Sequence, residues 1–348
     1  MLPAISSFYA HVSAREGLHN PAYDVFAIWV MKQTDLGLNL TTKRTRKRGF
    51  LAQMERVVPR TTLVELVLPY ALEGKKGLPP FAVEAMLRIH FIQQWFTLSD
   101  PAMEEALHDV PLFREFAGLG WDGRLPDEST ILRFRHLLER HKLAEQILVV
   151  NDLLSGKGLW LKAGTVVDAT LIVAPSSTKN KDGRRDPEMH HSKKGNEWYF
   201  GMKCHIGADA DSGLVHTVRA TAGNVSDVVE ANSLLHRQEH VVFADAGYQG
   251  AAKRVDAKAG VNWRIALRPG QRRALDKGNP IDVLIDQVEK LKASVRAKVE
   301  HPFRVIKCQF GHVKVRYRGL KKNTAQLVTL FALSNLWMAR GRLLAAQA

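Results

Sequence analysis

Cysteine is nearly absent: the 348 residues hold only Cys204 and Cys308, far apart and in no CxxC spacing. That argues against a disulfide scaffold and against a cysteine zinc site, and it fits a reducing compartment. Long apolar runs are missing too. The longest near the start, Val25–Met31, is far short of the roughly 20 residues a membrane span needs. The opening residues also lack the basic start and small-residue cleavage site of a signal peptide, so a cytoplasmic protein with no membrane partner is expected. Acids are in short supply. Asp plus Glu number 35 against 50 Lys plus Arg, a net charge of +15, and an excess of that size points to a polyanion as partner.

Otherwise the composition is ordinary for a globular protein, with 45% apolar and 24% charged residues. The length suits two or three structural units. The positive charge is concentrated in blocks. Lys290–Lys322 carries eleven cations and one acid, Glu300. Lys43, Arg44, Arg46, Lys47 and Arg48 form a second block without an acid. A third, Lys179–Lys194, includes Lys179, Lys181, Arg184, Arg185, Lys193 and Lys194 against three acids. A solvated face explains any one block. Three together favour backbone phosphates, because each Lys or Arg can neutralise one and release a counterion.

From Leu51 to Leu154 the apolar period is helical. Val83, Leu87, Phe91 and Trp95 recur every fourth position. Asp100-Pro101 reads as a helix start leading into Met103–Phe116. Pro126–Thr130 opens another helix, with Ile131, Phe134, Leu137 and Leu138 inside and Arg133 and Arg135 outside, and Leu143–Leu154 is a further one. After Gly158 the pattern turns to strands: Thr165–Val173, a hairpin of Phe200–Ile206 with Leu214–Ala220, then Val241–Asp245 and Trp263–Leu267. Helices are expected at Ser226–Arg237, from Gly250 and from Ile281, and a basic loop over Arg268–Pro280. The order implies a mixed sheet with helices on both faces. The expected division is an extension over 1–42, a helical DNA-binding domain over 43–157, an α/β domain over 158–340 and a tail over 341–348.

Three acids fit this layout oddly. Asp168 sits inside an apolar strand, where a bare carboxylate costs several kcal/mol unless paired or bound to a metal. Asp245 closes a strand at the end where α/β sheets place their sites, although a turn or helix cap explains it alone. Glu300 stands alone among cations, and a simple ion pair with Arg296 one turn earlier explains it alone. Together they could hold two Mg²⁺ ions, hard cations that take oxygen ligands. Two such ions can activate an attacking oxygen and stabilise a leaving one across a phosphate. His190-His191 reads as loop polarity, since adjacent histidines point different ways, and helix capping explains Asn224 and Asp227.

At these residues the sequence resembles the DDE transposases of the insertion-sequence-5 group, within the insertion-sequence-4-like bacterial superfamily. The likeness runs from about Lys43 to Trp337 and is carried by Val167–Thr170, Pro175–Lys181, Arg185–His190, Gly201–Lys203, His205–Gly207, Ala244–Gly250 and Arg296–Arg304. It implies a ribonuclease-H-like α/β mixed-sheet core preceded by an all-α N-terminal domain. Asp168, Asp245 and Glu300 fall at the family's catalytic, metal-binding positions. Arg296 and Lys307 match the spacing of the glutamate signature, whose tyrosine is Ala293 here, and Pro302 argues against a straight helix carrying Lys307 onto the face of Glu300. The resemblance further implies Mg²⁺ with Mn²⁺ as substitute, and double-stranded DNA as element ends and as target. It also implies cleavage at those ends with transfer of 3′-hydroxyls, and a homodimer or larger synaptic complex. Arg296, Lys307 and Lys203, with the named cations of the Lys43–Arg48 and Lys179–Lys194 blocks, are the expected DNA contacts. A nuclease that cuts without joining, and a silent DNA-binding regulator, are the rival readings.

Overall fold

In the N-terminal half the helices begin where capping residues and prolines allow. In the computed structural model, residues 43–71, 78–148, 154, 156, 158, 164–181, 183–236 and 239–347 are described. The expected extension over 1–42 lies outside them. The chain divides after Gly49 into two compact units, and α1 (Arg46–Val57) spans the division. The elements that follow belong to the second unit: α2 (Arg60–Val67), α3 (Val83–Phe96), α4 (Asp100–Asp109), α5 (Pro111–Ala117), α6 (Glu128–Arg140) and α7 (Leu143–Ile147). α3 is buried almost all round, from Ala85 to Trp95.

Two helical expectations need correction. Met103–Phe116 is not one helix. Pro111 lacks an amide hydrogen and drives Val110 to φ −113°, ψ 94°, so the chain breaks there and restarts. The cap before α4 is Ser99, whose hydroxyl accepts from the Ala102 amide at 3.3 Å. Arg135, expected outside, is buried. It pairs with Asp100 at 2.9 Å and Glu139 at 2.7 Å, and its guanidinium lies 4.3 Å from the centre of the Tyr317 ring. Of Leu143–Leu154, residues 149–153 lie outside the described set.

The strands are β1 (Gly164–Val173), β2 (His190–Lys194), β3 (Glu197–Asp209), β4 (Val215–Ala222), β5 (Val241–Ala244) and β6 (Asn262–Ile265). β3 runs antiparallel to β1 and β4 antiparallel to β3, whereas β5 is parallel to β1 and β6 parallel to β5. This sheet, β4-β3-β1-β5-β6, is ribonuclease-H-like. β2 pairs with the first part of β3, Glu197–Gly201, so the expected loop around His190-His191 is partly strand. Gly201 permits the crossing, since a Cβ there would meet the Ile172 carbonyl oxygen at 2.1 Å.

The connections on the β5 side are shorter than expected. Among the described residues of Ser226–Arg237 there are only α8 (Asp227–Glu230) and a 3-10 turn over Ala231–Leu234, with no side-chain cap from Ser226. After Asp245 come 3-10 turns at Ala246–Tyr248 and Ala251–Lys253 instead of a helix. The basic Arg268–Pro280 segment carries one turn, α9 (Pro269–Arg273), before α10 (Pro280–Arg304), which Asn279 caps on the Ile281 amide at 3.0 Å.

The strand period sends Val166 and Ile172 to one face of the sheet with Met202, Cys204 and Ile206. That face joins Val299 and Phe303 of α10 and the apolar side of α11 (Leu320–Ala345) in one core. Val167, Val242 and Ala244 line the other face with Leu234, Leu235 and Tyr248. α11 links sheet to helices. Asn335 exchanges hydrogen bonds of 2.8 and 2.7 Å with the Val215 backbone, Gln326 reaches Gln94 at 3.1 Å, and Trp337 packs 5.0 Å from Phe50. The start of α11 is held by Asp186 and Glu188, which accept from the Gly319 and Leu320 amides at 2.7 and 2.6 Å. Two acids there satisfy orphan amides and suit the positive end of the helix.

Candidate active site

Strand register sets the first two carboxylates. β1 and β5 pair in parallel at Val166 and Phe243. Two residues further along each chain stand Asp168 and Asp245, so the same register brings them side by side. Asp245 leaves the strand as the cap of the next turn, its Oδ1 accepting from the Gly247 amide at 2.9 Å. Glu300 comes from α10, whose Val299 and Phe303 are buried in the core with Val166, leaving Glu300 itself exposed.

The charges of Glu300 and Asp245 both act on Asp168. Burial raises the pKa of Asp168 to about 7; the Ala169 amide, donating at 2.7 Å, opposes that, while the charges of Glu300 and then Asp245 add to it. Arg296 pulls the other way. At this half-buried strand position the charges of two acids repel a third, and one guanidinium opposes them. That is a donor set a hard divalent cation fits: oxygen ligands from three elements, with excess negative charge.

Lys307 reaches the same face of the sheet despite Pro302. α10 runs through the proline to Arg304 and then widens into a π-helical turn over Val305–Gln309. Such turns re-aim side chains and are frequent at functional sites. The Lys307 Nζ donates to Thr170 Oγ1 at 2.5 Å and to the Leu171 carbonyl at 3.4 Å. Burial, and then the charge of Lys194, hold its pKa below the usual lysine range.

The other candidate cations are scattered by the fold. Arg184 and Arg185 meet Arg316 and Arg318 along a groove of about 210 Å³ that also takes in Ser177 and Asn180. Arg185 is anchored there by the Ser176 carbonyl at 2.7 Å. Lys179, Lys181, Lys193 and Lys194 are exposed. Lys203 is paired: its Nζ donates to Asp227 at 3.0 Å and to the Val225 carbonyl at 2.8 Å, on the face of the sheet opposite Asp168. Lys43, Arg44, Arg46 and Lys47 are exposed and Arg48 half-buried, and the last three form the first turn of α1. Cations there meet the positive end of the helix dipole, which is unfavourable without an anion.

Sequence reasoning missed Tyr248 except as part of a motif. It is buried, its hydroxyl has no hydrogen-bond partner among the described residues, and burial followed by the charges of Asp168, Asp227 and Asp245 pushes its pKa up. Only its place directly after Gly247, in the turn that follows β5, hinted at it.

The family model for the transposase DDE domain matches residues 160–336, about half of the chain and all of the sheet. The chain belongs to the DDE transposase family. A second model, for a transposase domain known as DUF772, matches residues 39–137 of this transposase, the helical region. Among solved structures the transposase aligns loosely with a piggyBac transposase synaptic complex with hairpin DNA. The identity is 9%, the alignment covers 84% of this chain and 73% of that one, and the TM-score is 0.42. Membership implies a DNA-acting, divalent-metal-dependent enzyme. Among the described residues of the transposase, no helix is long and apolar enough to cross a membrane.

Proposed function

We propose that this transposase binds the terminal inverted repeats of its element, cleaves at the element ends and joins the 3′-hydroxyls to target DNA by two-metal phosphoryl transfer. Asp168, Asp245 and Glu300 would hold the two Mg²⁺ ions, with Mn²⁺ able to substitute. The observation that carries this reading is the action of Glu300 and Asp245 on Asp168, whose pKa their charges raise beyond what burial alone does. Bound there, the ions would polarise the phosphate and lower the pKa of the attacking oxygen.

The protein's own groups do the rest. Asp168 must be ionised to bind a dication, and it gives up its proton near pH 7. Arg296 and Lys307 place fixed positive charge beside the acids, where a phosphodiester backbone would otherwise meet only negative charge. The arginine groove at Arg184, Arg185, Arg316 and Arg318 suits a second stretch of backbone, since guanidinium forks match phosphate oxygens. The Lys43–Arg48 block, at a helix N-terminus, is a third phosphate contact. Both element ends must be brought together for joining, so a homodimer or larger assembly on double-stranded DNA is the working form. The helical region over 43–157 would contribute end recognition and the segment over 158–340 the chemistry.

The test is cleavage of a labelled duplex carrying the DNA ends that flank this gene. Strand breaks at the element ends with Mg²⁺ or Mn²⁺, abolished by a chelator and by Glu300→Gln, are expected. Breaks that persist in Glu300→Gln contradict the assignment. Binding without any break supports the regulator instead.

A further inference from the structure

A second cluster of ligating side chains lies away from the three acids. His216 of β4 and His236 and Glu239 of the connection entering β5 bring one ligand atom each to within 4.8 Å of one another. The Glu239 side chain is wholly buried and lies 3.6 Å from His236 Nε2. Thr165, the second residue of β1, donates to Glu239 at 3.4 Å and sits 3.0 Å from His216 Nε2. The two imidazoles have their centres 4.6 Å apart and their planes crossed at 80°, an arrangement in which nitrogens from both can face one point.

We propose that His216, His236 and Glu239 form a Zn²⁺ site, its fourth position left to water, that ties β4 to the segment entering β5. Two imidazole nitrogens and one carboxylate are a zinc donor set, whereas Mg²⁺ takes oxygen. Bonds of about 2.0–2.1 Å around a tetrahedral ion put ligand atoms roughly 3.3 Å apart. The His236–Glu239 pair is already near that, and the rest close by about an ångström of side-chain rotation. Thr217 Oγ1, 2.8 Å from His216 Nδ1, orients the ring as outer partners of metal-bound histidines do, and Nε2 would exchange Thr165 for the ion. Lys258 is the opposing charge nearby. Its Nζ is held by the Leu235 carbonyl at 2.9 Å, and Glu239 offsets it.

Thr165 points to the opposite face of the sheet from Asp168, three residues on. An ion here is therefore remote from the phosphoryl-transfer chemistry and fixes the entry to β5, the strand that delivers Asp245. The site does not depend on the catalytic reading. The experiment is Co²⁺ titration of the full-length, chelator-stripped protein, read by visible absorption. One equivalent should bind with the intense bands of tetrahedral Co²⁺, be displaced by Zn²⁺, and raise the melting temperature. His236→Ala and Glu239→Gln should weaken that binding by about tenfold or more with native circular dichroism, and Asp168→Asn should leave it unchanged. Absence of tetrahedral bands in the wild-type protein overturns the site whatever the variants do. So do bands that survive both substitutions, or that vanish in Asp168→Asn.

Discussion

Lys307 and Thr170 are joined across the sheet face by a 2.5 Å hydrogen bond, and that bond depends on the π-helical turn which follows Pro302. Thr170 lies two residues beyond Asp168 on the same side of β1. The bond therefore holds an ammonium on the carboxylate face of the sheet, with Lys194 near enough to lower its pKa further.

Lys307→Gln should then weaken DNA binding by a similar factor on every sequence and reduce the slope of log affinity against log salt by about 1. Titrations at several salt concentrations on end and non-end duplexes check this. A loss confined to end sequences would make Lys307 a base-reading residue instead.

Neutralising Lys43, Arg44, Arg46, Lys47 and Arg48 together should cut the same slope by up to about 4.5 for duplex DNA. The first turn of α1 should also gain helicity, because like charge at the helix N-terminus is removed. An unchanged slope would show that the block meets no phosphate.

The folded-state pKa of Asp168, about 7 against an ordinary 3.8, sets a pH dependence with a definite sign. The folded protein retains a proton that the unfolded chain releases. Its stabilising contribution is complete below the unfolded value and is lost as pH rises through 7. Without divalent ions, Asp168→Asn should therefore be more stable than the parent at about pH 8, by up to about 4 kcal/mol, and close to it at about pH 4. Urea unfolding in chelator at the two pH values measures this. A variant less stable at the higher pH would mean that Asp168 is paired and not repelled.

Arg135 is buried between Asp100, Glu139 and the Tyr317 ring. Arg135→Ala leaves two carboxylates without their guanidinium and removes a stacked plane, so it should cost about 3 kcal/mol and reduce activity only through loss of folded protein. Thermal unfolding beside a per-folded-molecule activity assay separates the two effects.

How much of this could be read from residues alone varied with the range of the interactions. Asp168 is conspicuous because a charge inside an apolar strand is locally expensive, and Glu300 because it is the lone acid among eleven cations. The mixed α/β sheet follows from period-2 runs and turn residues, which are local, whereas its ribonuclease-H-like character was implied by the family resemblance alone. The side-by-side placement of Asp168 and Asp245 is set by the β1–β5 register, which no local pattern encodes. Arg135 looked like a surface cation because only its partners Asp100 and Tyr317, distant in sequence, make burial tolerable. Pro302 misled for a similar reason: packing of Val299 and Phe303 keeps α10 intact past it, and the widened turn absorbs the misfit. β2 is polar along its length, and its pairing with Glu197–Gly201 supplies what its side chains do not.

The central claim is that Asp168, Asp245 and Glu300 perform metal-dependent strand transfer, and one assay meets it directly. Purified protein is mixed with labelled DNA from the ends flanking its gene, a plasmid target and Mg²⁺, beside Asp245→Asn. Joined products from the parent and none from the folded, DNA-binding Asp245→Asn variant are the expected result. Equal joining by both would contradict the account, and cleavage without joining by the parent would reduce it to a nuclease.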